Sequence, residues 1–184
     1  MNPWLLPPNL LSLARILMTP VIAWRLGAGD PAGAFPWIVA ASLTDLADGQ
    51  LARRFNWTSD LGRKLDPAAD KLMLAAVYAA MAAGGLIPVW IAGLVIGRDL
   101  VILSFAAWAA GAISLKDFKP SAWGKLSTLL QMLYVAVVSG LRIWPDSGVA
   151  PFVTPLLWAT AAATLASGIG YAREGWALAR RQGD

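Results

Sequence analysis

The sequence predicts an all-α integral membrane protein with six transmembrane helices, and two observations support this fold class. Of the 184 residues, 58% are hydrophobic and only 14% are charged, whereas charged residues make up about a quarter of an ordinary soluble domain. Apolar stretches of about 20 residues, the length that crosses a bilayer, recur along the chain. No linker or low-complexity segment separates them, so we expect residues 1–184 to form a single membrane domain.

The predicted elements follow one another with short connections. Residues 1–8, with three prolines and Trp4, predict a short N-terminal interfacial segment. Residues 27–36 are rich in glycine and proline and predict a loop after the first span. Arg15 lies inside that first span, where an arginine either faces a polar cavity or a partner, or extends its head group to the near interface. The six spans are predicted over residues 9–26, 37–51, 61–83, 89–113, 123–141 and 152–171.

The distribution of lysine and arginine between the connections predicts the orientation. Two of these residues, Arg25 and Arg142, fall on one side of the predicted bundle. By the positive-inside rule, both termini and the connections after the second and fourth spans are cytoplasmic. The net charge of +4 therefore reflects topology, and we expect no nucleic-acid partner. The ten cationic residues on the cytoplasmic side are Arg53, Arg54, Arg63, Lys64, Lys116, Lys119, Lys125, Arg173, Arg180 and Arg181.

The composition also limits the available chemistry. The chain has no cysteine and no histidine, which excludes disulfides, thiol nucleophiles, Ser–His catalysis and histidine metal ligands. Any reaction must therefore use carboxylates, lysine, arginine, hydroxyl groups and metal ions.

Residues 45–71 are the polar centre of an otherwise apolar chain. Asp45 and Asp48 are three residues apart and Asp66 and Asp70 are four apart, so each pair lies on one face of its helix. Carboxylates so close together beside hydrocarbon repel one another and are costly unless they are compensated. Bound divalent cations remove both problems, and an all-oxygen ligand set favours Mg²⁺ or Mn²⁺.

Four carboxylates from two helices can hold two such ions about 3.5–4 Å apart, an arrangement suited to a diphosphate. Gly49 and Ala52 leave room for a ligand to approach the backbone, and Arg53 supplies a planar cation for a phosphate or a base. Gly62 precedes Asp66 by four residues and shares its helix face. The pattern therefore predicts a metal-dependent site for a nucleotide diphosphate.

The order of these residues, D45-x2-D48-G49-x2-A52-R53-x8-G62-x3-D66-x3-D70, resembles the signature of the CDP-alcohol phosphatidyltransferases at every position. The resemblance extends to the length, the predicted spans and the place of the motif across spans two and three. It implies transfer of a phosphatidyl group from CDP-diacylglycerol to an alcohol with release of CMP, in the membrane and among its lipids. It also implies a homodimer, because dimerisation is common in the family.

The resemblance assigns roles to the motif residues. Two divalent ions would be held by Asp45, Asp48, Asp66 and Asp70, and Asp70 would also be the general base. The CDP-binding residues would be Asp45, Asp48, Gly49, Ala52, Arg53 and Gly62. The site would face the cytoplasm of a bacterial inner membrane.

The acceptor is predicted from the sequence around the motif. The stretches at residues 8–16, 65–71 and 119–128 are similar to the branch with glycerol-type acceptors, which comprises phosphatidylglycerophosphate synthases and CMP-forming cardiolipin synthases. The Arg98-Asp99 pair on span four, where glycerophosphate synthases generally show Arg-Glu, favours phosphatidylglycerol as acceptor over glycerol 3-phosphate. Both acceptors carry a phosphate, so Arg98, Lys119 and Lys125 are candidate ligands for either.

Other classes of membrane protein fit the sequence less well. An ion-coupled transporter also uses intramembrane Asp and Arg, but its acidic residues would be spread through the membrane depth in repeated halves. A polyprenyl-transferring enzyme also uses two Asp-rich motifs, but with another spacing and a longer chain. Phospholipase-D-like cardiolipin synthases require histidines, which this chain lacks.

Overall fold

A computed structural model describes residues 7–55, 60–112 and 122–181, and within them the side chains of residues 10–44, 70–104 and 123–173. The described backbone is helical apart from short turns, which confirms the all-α prediction. The predicted interfacial segment lies mostly outside the described residues. The helices are α1 (Pro7–Gly27), α2 (Pro31–Phe55), α3 (Asp60–Ala83), α4 (Val89–Ala112), α5 (Ala122–Ile143) and α6 (Ala150–Arg181).

The loop predicted over residues 27–36 is shorter than expected, because α2 already begins at Pro31. Asp30 caps this helix, its Oδ1 accepting a hydrogen bond from the Gly33 N–H at 2.8 Å. Pro31 suits the first helical position, where no N–H donor is needed. The helix continues through Pro36, its sixth residue. At the other end of the chain, α6 extends ten residues beyond the predicted span, to Arg181.

Three of the described helices are long and apolar enough to cross a membrane: Leu10–Gly27 in α1, Trp123–Ile143 in α5 and Ala150–Arg173 in α6. The described side chains are arranged as expected for a membrane protein. Large apolar groups such as Leu17, Trp24 and Phe152 are more than 60% exposed. Arg15, Gln131 and Thr164, in contrast, are completely buried. Polar groups inside and hydrocarbon outside are the pattern that a lipid solvent favours.

The chain forms two compact units. In the first, Met1–Val89, α1 packs against both α2 and α3. Its core includes Ile22, Ala34, Ala41, Tyr78 and Met81.

The end of α1 lies very close to the turn after α3. A Cβ built on Gly84 would come within 2.2 Å of the Leu26 carbonyl oxygen, so this close approach requires a glycine.

The second unit, Trp90–Asp184, contains α5, α6 and almost all of α4. Helices α5 and α6 pack together around a buried polar cluster. The Gln131 Nε2 donates to the Ser127 and Thr164 hydroxyl oxygens, each at 3.0 Å. Those two hydroxyls are themselves 3.2 Å apart. Hydrogen bonds of this kind join helices where hydrocarbon surfaces alone give little specificity.

Candidate active site

Helices α2 and α3 carry the aspartate motif, and the backbone of both is helical at the motif positions. Positions 45–53 lie in the second half of α2, and positions 62–70 lie in the first half of α3. The prediction that each aspartate pair sits on one helix is confirmed. Of the four aspartates, only Asp70 falls among the residues whose side chains are described. The predicted site residues whose side chains lie outside them are Asp45, Asp48, Gly49, Ala52, Arg53, Gly62 and Asp66.

Asp70 is held by an arginine from another helix. The Arg15 Nη1 on α1 donates to the Asp70 Oδ1 in an ion pair that joins residues 55 positions apart. The Asp70 side chain is nevertheless 44% exposed, whereas the Arg15 side chain is 0% exposed. Asp70 is therefore both fixed on one side and accessible to a ligand.

Arg15 belongs to a continuous buried face of α1. Ser12, Thr19, Ile22 and Leu26 lie on the same face and are all buried. The Thr19 hydroxyl donates to the Arg15 carbonyl oxygen at 2.9 Å. The face is polar around Arg15 and apolar toward the C-terminal end of the helix. Of the two sequence-based interpretations of Arg15, the one with an internal partner is confirmed.

Helix α1 contacts both helices that carry the motif. It packs against α2, which bears positions 45 and 48, and against α3, which bears positions 66 and 70. In α2, the helical register of the buried Ala34 and Ala41 continues to positions 45, 48 and 52. Packing on one central helix is thus a physical basis for bringing the two aspartate pairs together.

The donor set fits a hard divalent cation. Asp70 supplies an accessible carboxylate, and a chain without histidine or cysteine offers only oxygen ligands of this type. Among the described side chains no three acidic residues lie together, which is expected because the other three predicted ligands are outside that set. The metal assignment therefore stays a prediction.

Arg98 lies in a second polar site, between α4 and α6. Its Nη1 donates to the Asp99 Oδ1 at 2.5 Å. Its Nε and Nη2 donate to the Ser167 hydroxyl at 3.2 and 2.7 Å. The guanidinium carbon lies 5.8 Å from the centroid of the Tyr171 ring, a cation–π contact. The Arg98 and Asp99 side chains are each only 5% exposed.

The acceptor-phosphate role of Arg98, Lys119 and Lys125 stays a prediction. Three of the five N–H groups that a guanidinium carries are engaged by Asp99 and Ser167. Lys125, near the start of α5, is exposed. Lys119 lies outside the described residues.

Sequence reasoning did not identify the partners that the two buried arginines have on other helices. Ser167 and Tyr171 contact Arg98, and Arg15 contacts Asp70, although none of these pairings was predicted. The four-residue spacing of Ser167 and Tyr171 on an apolar helix, which places both on one face, was the available signal.

The chain is similar to proteins of one known family. The profile of the CDP-alcohol phosphatidyltransferase family matches residues 5–166. The CMP-forming cardiolipin synthase of Homo sapiens is 31% identical over 92% of this chain and 61% of its own length. The CDP-diacylglycerol–glycerol-3-phosphate 3-phosphatidyltransferase of Bacillus subtilis is 31% identical over 92% of this chain and 94% of its own length.

A third relative is a chloroplastic CDP-diacylglycerol–glycerol-3-phosphate 3-phosphatidyltransferase of Oryza sativa, 30% identical over 89% of this chain and 55% of its own length. Several curated relatives are thus longer than the region they share with this chain, which spans 30% to 61% of five of them. Because the family profile covers most of the sequence, this chain belongs to the CDP-alcohol phosphatidyltransferase family.

Proposed function

We propose that this protein transfers the phosphatidyl group of CDP-diacylglycerol to a glycerol-type alcohol and releases CMP. The observation that carries the proposal is the complete aspartate signature on α2 and α3, which ends at the accessible Asp70 carboxylate. Both helices pack on α1, so the two halves of the signature share one support. Relatives named for this chemistry match across most of the chain.

The cofactors proposed are two Mg²⁺ or Mn²⁺ ions held by Asp45, Asp48, Asp66 and Asp70. When bound, such ions neutralise the diphosphate and stabilise charge on the attacking and leaving oxygens. The donor nucleotide is bound by Asp45, Asp48 and the small residues of the motif, and Arg53 supplies a cation for it. Those small residues are Gly49, Ala52 and Gly62.

Asp70 is the proposed general base. The acceptor hydroxyl oxygen attacks the phosphorus that bears the diacylglycerol, and its proton passes to the Asp70 carboxylate. The bond between that phosphorus and the oxygen of CMP breaks as the new phosphodiester forms. The partial exposure of Asp70 is consistent with this role because a base must reach the hydroxyl that it deprotonates.

Phosphatidylglycerol is the acceptor we favour, which would make the product cardiolipin. The Arg98-Asp99 pair supports this choice. Overall identity does not distinguish the two acceptors, because the human cardiolipin synthase and the Bacillus subtilis phosphatidyltransferase are both 31% identical to this chain. Glycerol 3-phosphate is the second candidate, supported by the relative from Bacillus subtilis. For either acceptor, Arg98, Lys119 and Lys125 are the proposed phosphate ligands.

The proposed setting is a bacterial inner membrane, with six spans and with both termini and the active site on the cytoplasmic side. The ten-to-two asymmetry of Lys and Arg between the two sides supports this orientation. We further propose one functional domain per chain and a homodimer as the assembled form.

The test is CMP release by purified protein in detergent with CDP-diacylglycerol and one acceptor at a time. We expect release with Mg²⁺ or Mn²⁺ present and its loss on chelation. Asp70→Asn should lower the rate by about 10²- to 10⁴-fold, the usual contribution of a general base. Full activity of Asp70→Asn would refute the base assignment, and activity that survives chelation would refute the metal proposal.

The same assay separates the two acceptors. Faster release with phosphatidylglycerol than with glycerol 3-phosphate is the expected result, and the opposite order would favour the second candidate. Release with inositol alone would exclude both.

A further inference from the structure

The ion pair between Arg15 and Asp70 is strongly asymmetric. Arg15 is completely buried, and a buried guanidinium requires an anionic partner because desolvation of its charge is costly. The Asp70 carboxylate is 44% exposed, so its charge is far less desolvated than that of Arg15. The contact therefore supplies an anionic partner for the buried Arg15, and its consequence for Asp70 is a restricted orientation.

The position of Arg15 is fixed by helix packing. It lies in the buried face of α1, and the Thr19 hydroxyl donates to its carbonyl oxygen at 2.9 Å. The same helix packs against α2 and α3. A guanidinium on α1 is therefore well placed to set the direction of a carboxylate on α3 relative to the helix that carries positions 45 and 48.

We propose that Arg15 is a positioning residue for phosphatidyl transfer, which holds one oxygen of Asp70 so that the carboxylate faces the acceptor hydroxyl. This inference rests on the proposed function, because it takes Asp70 to be the base. Arg15 acts through Asp70 and does not itself contact the reacting atoms.

The charge of Arg15 gives this role a distinctive signature. A cation beside a carboxylate that binds metal repels the metal ion, so Arg15 weakens metal binding by charge while it orients the base. Loss of Arg15 should therefore slow the reaction without weakening metal binding. A residue needed only for the packing of α1 on α3 would, when replaced, impair both.

The experiment compares Arg15→Met, which removes the charge but keeps an apolar chain about as long as the stem of arginine, with Arg15→Lys, which keeps the charge but loses the planar donor group. Arg25→Met is the matched control, because Arg25 is another α1 arginine in an ion pair, with Asp30 at 3.1 Å. The readouts are kcat, KM for CDP-diacylglycerol, and binding of Mn²⁺ alone to the substrate-free protein by electron paramagnetic resonance.

For Arg15→Met we expect kcat to fall about 10- to 100-fold, the usual effect of removing a group that orients a ligand or base. KM should stay within about twofold, because donor binding does not depend on how the base is oriented. Mn²⁺ affinity should be unchanged or several-fold higher, because a nearby like charge is lost. Arg15→Lys should recover part of kcat, and Arg25→Met should match the wild type in all three readouts.

Combination with Asp70→Asn tests whether Arg15 acts through the carboxylate. In that background, Arg15→Met should cause no further loss of kcat, since the group that it orients has already been disabled. A wild-type kcat in Arg15→Met, weaker Mn²⁺ binding in that variant, or additive losses in the double variant would each overturn the proposal. If Arg15→Met does not fold, Arg15→Lys decides: reduced kcat with retained Mn²⁺ binding supports the role, and wild-type kcat overturns it.

The proposed function is tested separately within the same set of proteins. Absence of CMP release by the wild type, or full activity of Asp70→Asn, would refute the enzyme or base assignment whatever Arg15 does. If the wild type releases CMP, Asp70→Asn does not, and Arg15→Met keeps the wild-type kcat, only the positioning role is refuted.

Discussion

Asp30 shows how one carboxylate stabilises the junction of two helices. Its Oδ1 accepts the Gly33 N–H at the start of α2, and its Oδ2 accepts a hydrogen bond from Arg25 at the end of α1. The bond from Gly33, followed by that from Arg25, lowers the pKa of Asp30 below its usual value of 3.8. A side chain on residue 33 would collide with this cap, since a Cβ there would come within 2.1 Å of the Asp30 Oδ2.

This lowered pKa predicts a pH-dependent contribution to stability. Because the folded pKa lies below the unfolded one, the charged Asp30 stabilises the fold above the unfolded pKa, and this stabilisation is lost as the pH falls through the folded pKa. Asp30→Asn keeps a cap acceptor but loses the charge. The wild type should therefore unfold at a higher temperature than Asp30→Asn at pH 7. This difference should start to shrink as the pH falls below about 4, the unfolded pKa, and should vanish only below the lowered folded pKa.

Thermal unfolding in detergent across this pH range measures the difference. Asp146→Asn, at an exposed aspartate between α5 and α6, is the control and should show no comparable change. A gap between wild type and Asp30→Asn that does not depend on pH would refute this account.

Individual residues also mark the limit of sequence-based prediction. Arg15 was recognisable as an arginine that needs a partner, but its partner lies 55 positions away, and nothing local specifies it. Arg98 was predicted to face an acceptor phosphate, yet its immediate contacts include Ser167, 69 positions away. Side-chain pairing between helices depends on tertiary packing, and spacing along one helix cannot predict it.

The helices were predicted more successfully than their ends. The span predicted over residues 61–83 differs from α3 (Asp60–Ala83) by a single residue, because a run of apolar residues beside a charged segment defines it. The start of α2 was missed because Asp30 and Pro31 are common in loops as well as at helix starts. The extension of α6 was missed because its charged residues made it resemble a tail.

The lack of a side chain at Gly84 allows the end of α1 to lie close to the turn after α3. Gly84→Ala would force a Cβ to within 2.2 Å of the Leu26 backbone oxygen, so α1 or the turn after α3 must move. Overpacking of this kind costs about 1–3 kcal/mol. Gly93→Ala in α4 has no atom within 4 Å of the new Cβ and should be neutral or stabilising by up to about 1 kcal/mol.

Thermal unfolding of the two alanine variants in detergent tests this prediction. Gly84→Ala should unfold at a lower temperature than the wild type, and Gly93→Ala should not. Equal stability of the two variants would show that the close approach of α1 to this turn does not contribute as described.

At the scale of the whole molecule, the distribution of Lys and Arg between the connections predicts the orientation of the spans. Three helices are apolar enough to be recognised as candidate spans in the described part of the chain. Helices α2 and α3 carry the charged motif, and α4 carries Arg98 and Asp99. The described side chains of α2, α3 and α4 cover residues 31–44, 70–83 and 89–104, stretches too short to be recognised as spans.

The proposed six-span topology can be tested on a chain that has no cysteine of its own. Leu86→Cys, after α3, and Ser147→Cys, after α5, should react with a membrane-impermeant maleimide in intact bacterial cells. Ser121→Cys, after the fourth span, should react only after permeabilisation, because the positive-inside rule places it in the cytoplasm. If α2, α3 and α4 did not cross the membrane as proposed, Leu86→Cys would not share the labelling pattern of Ser147→Cys. Inverted labelling at all three positions would instead place the Asp70 carboxylate on the side away from the cytoplasm.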